Sequence, residues 1–226
     1  MTVAYNSDCM EAMAQMEDNA FDLAIVDPPY GINIAKHGTL KANSKFKRGF
    51  TKDVDYGVRS WDEFIPPKQY FLELLRVSKN QIIWGGNFFL DYLGNCKEYV
   101  TWYKKGYDTN HRFSPTEWAW TSFLGVPKYY DIPWIGFGYI NSGETKIHPT
   151  QKPITLYKLL LNDYAKPGDT ILDTHLGSGS SRIAAHDMGF DFTGYEIDKD
   201  YFDAQEKRFQ NHIKQQSLFK PNEMYT

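Results

Sequence analysis

Short apolar runs alternate with amphipathic segments along most of this chain. Residues 21–26 form an apolar run of strand length, whereas residues 66–79 carry apolar side chains at helical spacing and precede a second strand-like run at 81–84. The C-terminal half continues the alternation. It predicts helices over 153–164, from 180 to 188 and from 199 to about 215, with strands ending at Asp173 and Glu196. This pattern predicts an α/β fold with a doubly wound, mostly parallel sheet and right-handed crossovers.

The segment from 99 to 139 is unusually rich in aromatic side chains. Strands are predicted at 98–103 and 117–121, and most of these aromatic rings are expected to pack the sheet. The whole chain of 226 residues is long enough for one domain, 1–226, with a full core.

Composition narrows the class of protein. A hydrophobic content of 42% and a mean hydropathy of -0.55 indicate a globular chain without a membrane segment. Asp8 and Glu11 interrupt the stretch where a signal peptide would be apolar, so a cytoplasmic location is expected. The two cysteines, Cys9 and Cys96, give neither a disulfide framework nor metal-ligand spacing, and no metal is predicted.

The residues after the first apolar run suit chemistry on the exocyclic amino group of a base. Asp27, Pro28, Pro29 and Tyr30 follow residue 26 directly. An amino nitrogen conjugated to a base attacks poorly until acceptors hold its N–H bonds. Asp27 offers one acceptor, the Pro28 carbonyl a second that the next proline orients, and Tyr30 a flat face for stacking. The alternative is a strand that ends in a proline turn, and this motif alone leaves both interpretations open.

A second motif lies at residues 173–181, where an acidic strand end leads into a glycine loop and a helix. Gly177 and Gly179 allow close approach of the backbone to a ligand, and the loop leads to an amide-rich helix N-terminus. The spacing matches neither the dinucleotide fingerprint nor a P-loop. Glu196, about 20 residues further on, stands where nucleotide-binding folds grip ribose hydroxyls, which suggests a nucleoside-bearing cofactor. The alternative role, a helix cap, fits Asp198 better.

Together these residues resemble the amino-methylating DNA methyltransferases that use S-adenosyl-L-methionine. The resemblance is to the permuted, beta-class-like group with a Rossmann-like fold, in which the catalytic motif precedes the cofactor motif. Residues 6–9 resemble the opening motif of the family, residues 27–30 its catalytic tetrad, residues 147–153 its H-P-T-Q-K-P element and residues 173–180 its glycine motif. One departure is that Thr174 and His175 replace a proline and an aromatic residue, which leaves the role of His175 open.

The resemblance implies two sets of site residues. The catalytic set is Asp27, Pro28, Pro29 and Tyr30. The cofactor-binding set is Asp8, His148, Thr150, Lys152, Asp173, Thr174, Gly177, Ser178, Gly179, Ser180, Glu196 and Ile197. In the family the acid at position 8 binds the adenine amino group of the cofactor, and the H-P-T-Q-K-P element lies beside its methionine end.

The implied reaction is methyl transfer to the N6 amino group of adenine in double-stranded DNA, with the base flipped out of the helix. An N4-cytosine methyltransferase is the closest alternative, although Asp at position 27 favours adenine by resemblance. A catalytically silent DNA- or cofactor-binding module is the alternative from another class. The recognition sequence, a homodimer and a partner nuclease of a restriction-modification system all stay open.

Charge adds a candidate DNA contact. The formal charge of -3 argues against indiscriminate coating of nucleic acid. Within residues 31–60, however, basic side chains accumulate without any acid between 36 and 52, which predicts a lid loop that meets DNA phosphates, with a merely solvated loop as the alternative. The predicted DNA-binding residues are Lys36, Lys41, Lys45, Lys47, Arg48 and Lys52. A small target-recognition region is predicted at 104–146.

Overall fold

The computed structural model describes residues 1–33, 39–40, 54–55, 61–104, 114–134, 144 and 146–218. The strands are β1 Thr2–Tyr5, β2 Phe21–Val26, β3 Thr39–Leu40, β4 Val54–Asp55, β5 Ser78–Trp84, β6 Tyr99–Tyr103, β7 Thr116–Thr121, β8 Lys128–Asp131, β9 Thr170–Asp173 and β10 Asp191–Tyr195. The helices are α1 Cys9–Met13, α2 Lys68–Val77, α3 Leu90–Leu93, α4 Ile154–Tyr164, α5 Ser180–Asp187 and α6 Lys199–Leu218, with a 3₁₀ turn at Gly86–Phe88.

Eight strands form the main sheet in the order β1-β10-β9-β2-β5-β7-β6-β8. The first five are parallel, β7 is antiparallel to both β5 and β6, and β8 pairs with β6 in parallel. Strands β3 and β4 form a separate antiparallel pair. The predicted doubly wound, mostly parallel α/β fold is confirmed.

Alternation along the central strands divides the core into two layers. Leu23 and Ile25 of β2 pack with Leu160 of α4 on one face of the sheet. Ala24 and Val26 pack with Leu74 of α2 on the other. Because successive side chains of a strand point to opposite faces, the part of a strand with helices on both sides is apolar at every position, which explains the run from Leu23 to Val26 in β2.

The sheet order brings two distant parts of the chain together. Strand β9 pairs directly with β2, with Leu23 opposite Ile171 and Ala24 opposite Leu172. The strands that end at Asp27 and Asp173 are therefore neighbours. Chain order reverses here, and the carboxyl ends of strands at such a switch point are where α/β sheets bind ligands.

Most predicted elements are observed within a few residues. The helix predicted over 66–79 is shorter, because strand pairing with β2 begins at Ser78. Within the segment 104–146, β7 and β8 belong to the main sheet. Among the described residues, no helix combines the length and the apolar character needed to cross a membrane.

Helix α2 offers a matched test of the core. Leu74→Ala is expected to lower the free energy of unfolding by about 2–5 kcal/mol, because Leu74 is fully buried between α2 and the sheet. Leu72→Ala on the same helix, where the side chain is 47% exposed, should change it by about 0.5 kcal/mol or less. Urea denaturation of the two variants measures the difference, and equal losses would contradict this assignment of the buried face.

Candidate active site

Four neighbouring parallel strands carry an acidic residue at or just beyond their carboxyl ends. In sheet order these are Asp8 after β1, Glu196 after β10, Asp173 at the end of β9 and Asp27 after β2. The carboxyl ends of parallel strands share one edge of the sheet, so the four carboxylates form a row along it. This row has the opposite charge to a cationic ligand and offers acceptors to hydroxyl and amino groups.

Asp27 lies in a polar cluster at one end of the row. Its Oδ1 accepts a 2.6 Å hydrogen bond from the Tyr30 hydroxyl, and its Oδ2 lies 2.6 Å from Nζ of Lys152. The Lys152 ammonium also lies 3.3 Å from the Tyr30 hydroxyl oxygen and 5.1 Å from the centre of the Trp84 ring. Because Lys152 is almost fully buried, its charge is balanced by protein groups rather than by solvent.

Glu117 is the second carboxylate on Lys152. Its Oε2 lies 2.9 Å from the same Nζ, and its Oε1 forms an ion pair with Lys104. Glu117 lies in β7, Lys104 directly follows β6, and Asp27 directly follows β2. The ion pairs therefore connect three strand ends with the segment that carries Lys152, in a cluster of two acids and two lysines with no net formal charge.

Burial and charge act in opposite directions on these groups. Burial, together with the nearby Glu117 charge, raises the pKa of Asp27 although Lys152 works against it. Burial alone would raise the pKa of Glu117, but the ammonium groups of Lys152 and Lys104 outweigh it and lower the pKa to about 2. Burial alone would lower the pKa of Lys152, but the carboxylates of Asp27 and Glu117 outweigh it and raise the pKa. Glu117 is therefore the more firmly ionised carboxylate and Asp27 the one that protonates more readily.

The backbone of the tetrad is held by a buried carboxylate. Oδ1 of Asp62 accepts hydrogen bonds from the backbone N–H of Tyr30, at 2.9 Å, and of Gly31, at 3.0 Å. Gly31 has a φ of +70° and lies against Ile65. The turn that follows Asp27 is thus fixed from outside the tetrad, so that Tyr30 is directed back toward the carboxylate that precedes it.

The ring of Tyr30 is packed as firmly as its backbone. It stacks on Phe88 with a centroid distance of 5.1 Å and an interplanar angle of 18°. Gly85, with a φ of +69°, passes so close that a Cβ there would be 2.2 Å from Cε1 of Tyr30. At Gly86 a Cβ would be 2.7 Å from the Trp118 ring. Two glycines after β5 therefore let the turn lie between Tyr30 and the tryptophans of β7.

A cavity of about 370 Å³ opens over this cluster. Aromatic, acidic and basic side chains surround it together with the tetrad. The lining residues that matter for chemistry are Asp27, Pro28, Pro29, Tyr30, Phe88, Lys104, Glu117, Trp118, Thr150 and Lys152. An aromatic wall beside fixed hydrogen-bonding groups suits a planar heterocycle with polar edges.

The glycine loop after β9 is organised by Asp173. One oxygen of its carboxylate accepts from the Ser181 hydroxyl at 2.5 Å, and the other accepts from the backbone N–H of His175 at 3.0 Å. Burial is the main cause that raises the pKa of Asp173 to about 7. Gly177 and Gly179 both have positive φ, +50° and +72°, so the turn needs glycine on conformational grounds.

Glu196 ties this loop to the neighbouring strand. Its Oε2 accepts from the N–H of Gly177 at 2.8 Å and its Oε1 from the N–H of Asp198 at 2.9 Å. Burial is the largest influence on Glu196 and raises its pKa. The next residue, Ile197, is 67% exposed. A carboxylate with spare acceptor sites thus stands beside an uncovered apolar side chain, as binding of a nucleoside requires.

The remaining serines of the loop are held from α6. Arg208 donates to the carbonyl of Ser178 at 2.7 Å and to Oγ of Ser180 at 3.0 Å, and it forms an ion pair with Glu144. The two serine hydroxyls lie 3.1 Å apart. These contacts are internal, so the side chains of Ser178 and Ser180 stabilise the shape of the loop.

His148 and Thr150 lie between the two parts of the site. His148 is buried between Trp61 and Tyr201, and its ring lies 3.7 Å from where a Cβ of Gly177 would be. Burial lowers the pKa of His148 to about 3, so the ring is neutral at physiological pH. Its Nδ1 is 3.1 Å from Oγ1 of Thr150, which lines the cavity.

The departure at positions 174 and 175 has a structural explanation. Thr174 is buried, and its Oγ1 lies 2.7 Å from the Tyr70 hydroxyl and 3.0 Å from Nδ1 of His175. The His175 ring meets Tyr70 edge to face. Burial lowers the pKa of His175 to about 4, so it too is neutral. Both side chains are thereby tied to α2.

The predicted site residues fall into three groups. The catalytic set lies at the cavity. Most of the cofactor set follows the sheet edge from Asp8 to Asp173, whereas Thr150 and Lys152 line the cavity and His148 lies between the two. Asp8 also caps α1, accepting from the N–H of Met10 at 2.8 Å. Lys152 stays a predicted cofactor-binding residue, and its ammonium lies on Asp27 and Glu117. The predicted DNA-binding residues Lys36, Lys41, Lys45, Lys47, Arg48 and Lys52 lie outside the described residues.

Sequence reasoning missed four residues of the cluster: Asp62, Phe88, Lys104 and Glu117. Only Glu117 carried a signal, since an acid at the start of an aromatic strand of a central sheet needs a buried partner. Asp62 and Phe88 reach Tyr30 only because of the way their loops fold, and nothing in their local sequence indicates which strand end they approach.

Comparison with known proteins places this geometry in a family. A family model for DNA methylases that act on N6 or N4 amino groups matches residues 21–207. The chain is 25% identical to the type II methyltransferase M.HpaI of Haemophilus parainfluenzae, over 89% of this chain and 72% of that protein.

Solved structures share the fold. The M1.HpyAVI complex with SAM is 21% identical, with a TM-score of 0.58 over 92% of this chain and all of that one. The cytosine-N4-specific PvuII DNA methyltransferase is 14% identical, with a TM-score of 0.58 over 95% of this chain and 92% of that one.

Gly85 and Gly189 provide a matched test of the packing on Tyr30. Both have a positive φ, +69° and +77°, but a Cβ at Gly189 would meet nothing within 4 Å, whereas one at Gly85 would collide with the Tyr30 ring. Alanine at either position carries the backbone cost of a positive φ, about 1–2 kcal/mol. Gly85→Ala should lose about 1–3 kcal/mol more because of the overpacking. Urea denaturation measures both, and an equal loss would show that Tyr30 yields freely.

Proposed function

The chain belongs to the N6/N4 DNA methylase family, and we propose that it transfers a methyl group from S-adenosyl-L-methionine to the N6 amino group of adenine in DNA. The observation that carries the proposal is the position of Asp27. A carboxylate fixed by Tyr30 and Lys152 faces a cavity of base size, at the edge of the sheet where a row of acids continues toward a glycine loop.

The row of acids fits the proposed cofactor. S-adenosyl-L-methionine supplies an activated methyl group on a sulfonium, and it carries a second positive charge, ribose hydroxyls and an adenine ring. Glu196 would hold the ribose hydroxyls, and the uncovered side chain of Ile197 would pack against the adenine. Asp8 would accept from the adenine amino group, and the glycine loop together with Asp173 would hold the methionine end. In chain order the catalytic Asp27 precedes Asp173, which is the permuted arrangement.

Asp27 has the capacity for its proposed task. An ionised carboxylate accepts up to about four hydrogen bonds, and here one comes from Tyr30 while an ion pair is made to Lys152. The free acceptor sites would take an N–H of the target amino group, with the Pro28 carbonyl as second acceptor. Held in this way, the nitrogen would direct its lone pair at the methyl group, and such alignment is worth about 7–11 kcal/mol of the barrier.

The cavity suits a base that has left the duplex. At about 370 Å³ it lies within the range of ligand pockets, and the stacked pair of Tyr30 and Phe88 gives it an aromatic wall. Unstacking the base costs a few kcal/mol, which stacking on an aromatic wall offsets. We further propose that the basic segment 31–60 meets the DNA phosphates and that 104–146 contributes to recognition of the target.

Cytosine is the second candidate substrate. The groups around the cavity act on an exocyclic amino group, and the N4 amino group of cytosine has the same conjugated lone pair. The position of Asp27 therefore supports transfer to an amino nitrogen more strongly than it supports either base. A direct chemical identification of the product separates the two.

Duplex DNA amplified in vitro, and hence unmethylated, should acquire N6-methyladenine at one short sequence when incubated with the protein and S-adenosyl-L-methionine. Asp27→Asn should lower the rate by about 100-fold or more, because it removes the carboxylate charge that faces the amino group. Modified-base sequencing identifies base and sequence together. N4-methylcytosine as the product would overturn the adenine assignment, and a near-normal rate for Asp27→Asn would overturn the role of Asp27.

Glu196→Gln should weaken S-adenosyl-L-methionine binding by about 10-fold to 150-fold, because charged hydrogen bonds contribute about 1.5–3 kcal/mol each. Asp198→Asn is the matched control. The Asp198 carboxylate caps α6 by accepting from the N–H groups of Asp200 and Tyr201, so its replacement by an amide should leave cofactor affinity nearly unchanged. Calorimetry without DNA measures both variants. Equal affinities of Glu196→Gln and the wild-type protein would remove Glu196 from the cofactor site.

A further inference from the structure

The buried cluster around Lys152 contains one more acid than the proposed orientation of the amino group requires. Asp27 alone would balance the lysine charge, yet Glu117 approaches the same ammonium from β7. The two carboxylate oxygens lie 2.6 and 2.9 Å from a single nitrogen, so about 5.5 Å is the most that can separate them. Lys104 already gives Glu117 a cationic partner, so the approach of Glu117 to Lys152 as well needs a role of its own.

The proposed reaction itself creates a need for a second counterion. The nitrogen lone pair forms the new bond to the methyl carbon, the carbon–sulfur bond breaks with its electrons on sulfur, and the amino nitrogen becomes positively charged. It returns to a neutral amine by losing a proton, and its N–H electrons stay on nitrogen. Asp27, hydrogen-bonded to that N–H in the proposed function, is the nearest acceptor.

Protonation of Asp27 would leave Lys152 without a counterion if Asp27 were its only partner. A buried ammonium that loses its only counterion is strongly destabilised. Because Glu117 remains ionised at 2.9 Å, Lys152 keeps an anionic partner when Asp27 takes up the proton. While both acids are ionised, Lys104 is the counterion of Glu117 and pairs with its other carboxylate oxygen, Oε1.

We propose that Glu117 is a positioning residue that acts through Lys152, serving as the alternate counterion that lets Asp27 accept the proton released by the methylated amino group. The inference rests on the proposed function for the identity of the reacting group. In this proposal Lys152 links Glu117 to Asp27, so that Asp27 can accept the proton from the target base. It also explains why an acid stands at the start of an aromatic strand.

Other groups face Asp27 and enter its titration. Asp173 approaches from β9, and the hydroxyls of Tyr70 on α2 and Tyr157 on α4 are also near. Burial raises the pKa of both tyrosines well above the ordinary value, as it does for Tyr30, so these remain neutral. Lys146 is close to Glu117 and Lys104. All of these groups are unchanged in variants of Glu117 and Lys104, so they cannot produce shifts of opposite sign.

The test measures the titration of Asp27 in three proteins. Glu117→Gln removes a negative charge and leaves Asp27 as the only counterion of Lys152, so the pKa of Asp27 should fall by about one unit or more. Lys104→Met removes a positive charge and should raise it. Carbon-13 NMR of labelled aspartate in the cofactor-free protein follows the carboxyl directly, with the Asp27 resonance identified by its absence from Asp27→Asn.

Methyl transfer provides the second readout. An ionised Asp27 is the active form, so activity should rise with pH through its pKa. The acidic limb of the pH–rate profile should therefore move to lower pH in Glu117→Gln and to higher pH in Lys104→Met. Glu98 is a buried acid just before β6 that accepts from the backbone N–H of Gly125, so Glu98→Gln should leave the acidic limb in place.

The outcomes separate the two proposals. Rates that fall equally at every pH, or carboxyl titrations that do not move, would show that Glu117 is only structural and would overturn the inference. A wild-type protein that transfers no methyl group to in-vitro-amplified DNA would overturn the proposed function. The carboxyl titration would then still decide whether Glu117 and Lys104 control the protonation of Asp27.

Discussion

The site depends on one constraint, which is the placement of a lysine ammonium in the interior of the protein. Lys152 is 1% exposed at its side chain and cannot remain charged there without anions close to it. Asp27 and Glu117 supply them, and each comes from a different strand end. The requirement for charge balance therefore fixes how β2, β7 and the segment before α4 meet. Removal of either carboxylate changes the ionisation of the other, so the cluster behaves as one titrating unit.

The sheet order explains how one chain builds both halves of such a site. Strands β1, β10 and β9 carry Asp8, Glu196 and Asp173, while β2, β5 and β7 carry the groups around Asp27. The direct pairing of β9 with β2 joins the halves, although about 146 residues separate their acidic ends. Residues 23–26 of β2, 171–172 of β9 and 82–84 of β5 are buried and apolar on both faces, so the polar groups that follow them lie at or beyond the strand ends. The core and the site are thus two consequences of the same strand pattern.

Sequence predicted what depends on local pattern. The strands that end at Asp27 and Asp173 and the helices α4 and α6 follow from periodicity, and the glycine loop follows from Gly177 and Gly179. The placement of Lys152 was beyond reach, because its partner Glu117 is 35 residues away and the long side chain of lysine has several directions open to it. Phe88 was beyond reach for a similar reason. Its contact with Tyr30 depends on the backbone of Gly85, whose φ of +69° cannot be read from a single glycine.

The two ends of the acidic row differ in the way they hold charge, and this difference suits two tasks. Asp173 and Glu196 are satisfied by hydroxyl and backbone N–H donors, with no cation among their contacts in the described part of the chain. Neutral donors bring no compensating positive charge, so a cationic ligand would be attracted there and would favour the ionised form of Asp173, whose pKa burial raises to about 7. At Asp27 the charge is already balanced by Lys152 and shared with Glu117. A net charge of zero does not attract a cationic ligand, but Lys152 keeps Glu117 as an anionic partner when a proton enters on Asp27. The row thus passes from a region suited to binding a positive ligand to one suited to accepting a proton, within the width of four strands.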